Sequence, residues 1–114
     1  MKSLFIKPLV LMSLVSSPSW ALSLEDLVEQ AGLWYEKFTS TPFTGEVNEG
    51  RYKGSIKNGK KEGSWKYYYE NGQLSAKGIF ENGKSDGYWE FYTIDGTPME
   101  FFTGTYKNGV KVSD

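Results

Sequence analysis

No cysteine and no histidine occurs among the 114 residues. The chain therefore forms no disulfide, offers no thiol for acylation or nucleophilic attack, and lacks the two commonest zinc ligands. It also lacks the side chain that serves most often as a general base near neutral pH. There is no cationic excess, with 13 Lys and Arg against 14 Asp and Glu. Nucleic acid and anionic membrane surfaces are accordingly not expected as partners, because both are gripped by clustered positive charge. No glycine-rich phosphate loop precedes a helix. Neither a cofactor nor a metal is expected.

What the chain does have begins with a distinct first segment. Met1, Lys2 and Lys7 give a basic start, and Leu9 to Val15 is a short apolar run. Ser16-Ser17-Pro18 breaks the run, and Ser19 and Ala21 stand at the −3 and −1 positions of a cleavage site. That layout predicts a secretory signal peptide over 1–21, cut after Ala21. The run is too short for a membrane span, which needs about 20 apolar residues. The predicted location is periplasmic or secreted. Loss of Lys2 and Lys7 leaves 11 basic residues against 14 acidic ones, a formal net charge of −3.

Residues 22–50 read as a helix followed by lead-in strands. Ser23 is placed to cap, Glu25 and Asp26 fall in a first turn, and Leu24, Leu27, Val28 and Ala31 recur at helical spacing, with Gly32 as a stop. Leu33 to Phe38 favours a strand through its aromatics. Phe43-Thr44-Gly45-Glu46-Val47 echoes Phe102-Thr103-Gly104-Thr105-Tyr106 and reads as a degenerate first repeat.

From residue 51 on the chain repeats. Tyr52 to Tyr68 overlays Ala76 to Tyr92 at an offset of 24 residues, and a third, partial copy starts at Thr103. The units run over about 53–76, 77–102 and 103–114. Periodicity of this kind implies one supersecondary unit stacked on itself, since a single unit cannot bury its apolar face alone. Asn58-Gly59, Asn82-Gly83 and Asn108-Gly109 are hairpin turns by the strongest short-range signal there is. Asn71-Gly72 and Asp95-Gly96 supply the alternating turns. Gly63 and Gly87 stand where a bend or a close backbone approach precedes each aromatic strand.

Side-chain alternation assigns two faces. Trp65, Tyr67 and Tyr69 share one, and in the next unit Trp89, Phe91 and Thr93 do. Stacking the units aligns Trp65 with Trp89 and Tyr67 with Phe91, and these four form the expected structural core. Tyr68, Tyr88 and Tyr92 fall on the second face and are the candidate binding surface. Exposed aromatics there suit stacking on sugars or on choline-like cations. The competing reading packs the same tyrosines under the N-terminal segment. Glu62 and Asp86 hold equivalent positions of adjacent repeats. They read as solvated acids beside turn glycines, and two carboxylates are too few oxygens for a hard cation. No catalytic residue is assigned and no enzyme is expected. An open sheet edge near Lys107 to Val112 offers strand addition as a further mode of protein binding.

Gly54 to Leu74 and Gly78 to Gly96 resemble the bacterial MORN-type repeat, whose unit reads approximately G-x-[FY]-x-N-G-K-x-x-G-x-W-x-x-[FY]-Y-x-N-G-x-L. Asp95 replaces its turn Asn, and Pro98 displaces the usual Leu. Tyr35 to Val47 is similar to the lead-in of the YwqK-family antitoxins. The resemblance implies a mainly β fold, a meandering single-layer antiparallel sheet of hairpins, here with a short N-terminal helix. It implies interaction rather than catalysis: its members are labelled antitoxins, and eukaryotic MORN repeats are linked to scaffolding and membrane lipids. The leading expectation is an exported scaffold module that binds another protein. A carbohydrate or cell-wall ligand module and an antitoxin or immunity-type inhibitor are the alternatives.

Overall fold

Antiparallel strands make up nearly all the regular structure in the computed structural model, which describes residues 22–114. The expected signal peptide lies outside the described residues. Two strands, β1 (Leu27–Gln30) and β2 (Leu33–Glu36), form an N-terminal hairpin. The main sheet follows as a meander: β3 (Gly45–Val47), β4 (Tyr52–Lys57), β5 (Lys60–Tyr68), β6 (Leu74–Glu81), β8 (Gly87–Phe91), β9 (Gly104–Lys107) and β10 (Val110–Ser113). A two-residue strand, β7 (Lys84–Ser85), completes the hairpin on β6 before the chain bends into β8. The mainly β, antiparallel hairpin architecture is the expected one.

The turns follow from backbone chemistry. Asn58, Asn82 and Asn108 have φ of 51°, 57° and 53°, and the Gly after each is also in the left-handed region. That pair of conformations matches the right-handed twist of the flanking strands, and Asn-Gly reaches it with little strain. Each turn is then tied to the preceding hairpin. Gly83 N–H donates to Lys61 O at 3.0 Å, and Gly109 N–H donates to Ser85 O at 2.9 Å. Gly59 N–H donates to Phe43 O at 2.7 Å in the same manner. Phe43 O thus takes the place that Lys61 O and Ser85 O hold for the next two turns, which is not the place its echo with Phe102 gives it.

The N-terminal segment corrects the expected helix. Only a single 3-10 turn, Leu24–Asp26, forms there. Asp26 accepts from the Ser23 N–H at 2.9 Å, so the capping signal is used, but the chain then extends into β1. Ala31 and Gly32, with φ of 53° and 82°, make a tight hairpin turn where a helix stop was expected. A two-turn helix is marginal alone. The strand instead pairs its backbone with β2, and Trp34 N–H donates to Gly59 O at 2.8 Å.

The core lies on one side of the sheet. Leu27, Val47, Ile56, Trp65, Ala76 and Trp89 are buried, with Leu24, Trp34, Phe43, Tyr52, Tyr67, Phe80, Phe91 and Tyr106 packed around them. The N-terminal hairpin covers this first face through Leu27 and Trp34. Trp65 and Trp89 do not stack on each other. Phe80 stands between them, its ring 6.2 Å from Trp65 and 5.0 Å from Trp89, edge-on to both. Tyr67 and Phe91 share a row with Ala76 between them.

Each indole lies flat on a glycine. A Cβ at Gly54 would sit 2.2 Å from the Trp65 ring, and one at Gly78 would sit 2.0 Å from the Trp89 ring. Each indole N–H donates to a strand carbonyl at 2.9 Å, Trp65 to Ser55 O and Trp89 to Ile79 O. The first Gly and the Trp of each repeat are therefore one packing unit, read at a separation of eleven residues.

Candidate functional site

The second face of the sheet carries the candidate binding surface, and register decides what stands on it. Directly opposed residues of an antiparallel pair share a face. Lys53 opposes Lys66, Lys66 opposes Lys77, and Lys77 opposes Glu90. Three lysines and one glutamate thus form a single row across β4, β5, β6 and β8. Strands lie about 4.8 Å apart, so the row spans roughly 14 Å. Lys77 Nζ is 3.8 Å from Glu90 Oε1. Among the described residues Lys53 and Lys66 have no ion-pair partner, and both are exposed. A parallel row holds Glu46, Ser55 and Glu62.

The three tyrosines expected at a binding surface all border the lysine row. Lys53 Nζ lies 5.6 Å from the centre of the Tyr68 ring, a cation–π approach. Tyr88 is 52% exposed, beside Ile79 at 48%. Tyr92 donates its phenol to the Glu90 carboxylate, and this hydrogen bond holds the phenol above its ordinary pKa. The tyrosines do not pack under the N-terminal hairpin, which lies on the other face. A shallow depression of about 160 Å³ lies on this face between Ser64, Lys66, Lys77, Ile79, Tyr88 and Glu90.

The remaining expected residues have structural work. Trp65 and Trp89 are buried, and Tyr67 and Phe91 pack against them. Glu62 accepts the Asn82 N–H at 2.8 Å and so holds the next hairpin's turn. Asp86 donates its backbone N–H to Ile79 O at 2.9 Å.

Sequence reasoning did not single out the lysines. Their signal was available: Lys53 and Lys77 occupy equivalent repeat positions, one residue before the glycine under each indole. It also missed Lys61. That side chain lies on the first face among four rings, with Nζ 4.9 Å from the centre of Trp65, 5.2 Å from Tyr67, 5.3 Å from Phe80 and 5.8 Å from Trp34. Lys61 donates to the Tyr67 hydroxyl at 2.9 Å. Burial pulls the Lys61 amine below its usual range, with Glu29 opposing that effect. Burial pushes the Tyr67 phenol up to about 12.

The chain matches no protein-family model, no curated protein sequence and no solved structure.

Proposed function

We propose that the chain is an exported, non-enzymatic repeat protein of MORN type that docks another protein on its second face. One observation carries the reading: Lys53, Lys66 and Lys77 stand directly opposite one another on neighbouring strands. Like charges so placed are destabilising. Glu90 answers Lys77 and the Tyr68 ring answers Lys53, but among the described residues no ion pair or ring contact answers Lys66, a position that Thr or Val would fill with higher strand preference. A counter-charge brought by a partner relieves the repulsion, so an acidic, extended polypeptide segment fits the row. Tyr88 and Ile79 beside it supply ring and aliphatic contact of the kind that anchors interfaces. The signal-peptide layout of residues 1–21 supports export, and the MORN resemblance supports a scaffolding role. An antitoxin or immunity role would use the same surface, with a toxin as the acidic partner.

The test is affinity capture of the C-terminally tagged chain from its own envelope fraction. An acidic protein is expected to co-purify, to be lost in the K66E/K77E double variant, and to be weakened by Tyr88→Ala. Retention on isolated peptidoglycan or glycans, abolished in Y68A/Y92A, would replace this reading with a cell-wall ligand module. Hydrolytic activity that tracked Glu62 or Asp86 would overturn the non-enzymatic assignment.

A further inference from the structure

The first face holds a second constellation, independent of the lysine row. Trp34 comes from the N-terminal hairpin, Trp65 and Tyr67 from β5, and Phe80 from β6. Four rings that suit a cation thus converge from three strands. Their centres all lie within 5.8 Å of one point, which the Lys61 ammonium occupies. Ring faces attract cations most strongly where water is displaced.

Lysine is an imperfect occupant of such a box. Its ammonium carries three donors and is strongly hydrated. Among the described residues it makes one side-chain hydrogen bond, to the Tyr67 hydroxyl, and no ion pair. The burial that lowers its pKa is the same mismatch seen from the proton's side. A quaternary ammonium has no donor to satisfy and cannot lose its charge. Four rings and one hydroxyl oxygen serve it better than they serve a primary amine. Lys61 is also only partly buried, and its stem springs from the start of β5 beside the Asn58-Gly59 turn, so part of the side chain already meets solvent.

We propose that Trp34, Trp65, Tyr67 and Phe80 form a binding cage for quaternary or fully methylated ammonium groups, which Lys61 plugs in the free protein and vacates when such a ligand enters. The cage spans the N-terminal hairpin and the first repeat, so a bound ligand clamps one to the other. The unrepeated N-terminal segment thereby acquires a role: it supplies the wall that the repeats lack.

Tetramethylammonium is the probe, with tert-butanol as its neutral counterpart of similar size. Tryptophan fluorescence of Lys61→Ala is expected to show saturable binding of the cation at least ten-fold tighter than that of the unsubstituted chain. The added change Trp34→Ala is expected to abolish it. No saturable binding by a folded Lys61→Ala protein, or equal binding of tert-butanol, would overturn the proposal. The unsubstituted chain gives a readout that does not depend on the variant folding. Displacement of the plug by tetramethylammonium is expected to raise the acylation rate of Lys61, followed by peptide mass spectrometry, at least several-fold over the other lysines. An unchanged Lys61 rate at saturating tetramethylammonium would equally sink the proposal.

Discussion

At the scale of single residues, the glycines of the repeat divide into two kinds that the sequence writes identically. Gly54 and Gly78 are open space for an indole. Gly63 is a bend with φ of 79°, and a methyl added there would meet nothing within 4 Å. Alanine at each therefore fails for different reasons. At Gly78 a Cβ would fall 2.0 Å from the Trp89 ring, so the indole must leave its site and its hydrogen bond to Ile79 O. Overpacking of that kind costs about 1–3 kcal/mol, and loss of the indole's placement adds to it. At Gly63 only left-handed strain is added, about 1–2 kcal/mol. Gly78→Ala is expected to lower the urea midpoint clearly more than Gly63→Ala. Equal effects of the two would mean that the indole does not rest on the glycine. The turn and bend glycines were legible from the sequence. The packing glycines were not, because their reason lies on a neighbouring strand.

At the scale of elements, the repeats and the strand from Leu33 were readable and β1 was not, for one physical reason. Each repeat hairpin carries Asn-Gly, which tolerates the turn's backbone without help. The N-terminal hairpin turns instead through Ala31-Gly32, and Ala31 is held at φ 53° against its preference. With no turn signal, Leu24, Leu27, Val28 and Ala31 read as a helical stripe. Pairing of β1 with β2 and the bond from Trp34 N–H to Gly59 O override that spacing. The strain at Ala31 is removable. Ala31→Gly, or Ala31→Asn to match the repeat turns, relieves up to about 1–2 kcal/mol of left-handed cost, less the added flexibility of Gly in the unfolded chain. Thermal denaturation is expected to show a melting point a few degrees higher for Ala31→Asn. A lower melting point would mean that the Ala31 side chain itself contributes to the hairpin.

At the scale of the whole molecule, a sheet one layer thick separates its two faces by function. The first face is covered in part by Leu27 and Trp34 of the N-terminal hairpin and holds the aromatic core, whose four expected members were legible from alternation alone. The second face is open and carries charge in rows that only register reveals. Folding couples both faces through β5, which supplies Trp65 and Lys61 to one and Lys66 to the other. The stability of the whole should therefore titrate with the pair at its centre, Lys61 and Tyr67. The Lys61 amine is lowered from 10.5 in the folded state, so the unfolded chain binds more protons between the lowered value and 10.5. Stability rises with pH across that interval. The Tyr67 phenol is raised from 10.0 to about 12, so the unfolded chain loses its proton first. Stability falls with pH across that higher interval. Chemical denaturation as a function of pH is expected to show a maximum in the alkaline range, near 10, followed by a steep loss toward about 12. Lys61→Met should remove the rising limb and Tyr67→Phe the falling one. A profile flat from about pH 8 to 12 in the unsubstituted chain would show that neither group is desolvated on folding, and the packing of the first face around Lys61 would then need another description.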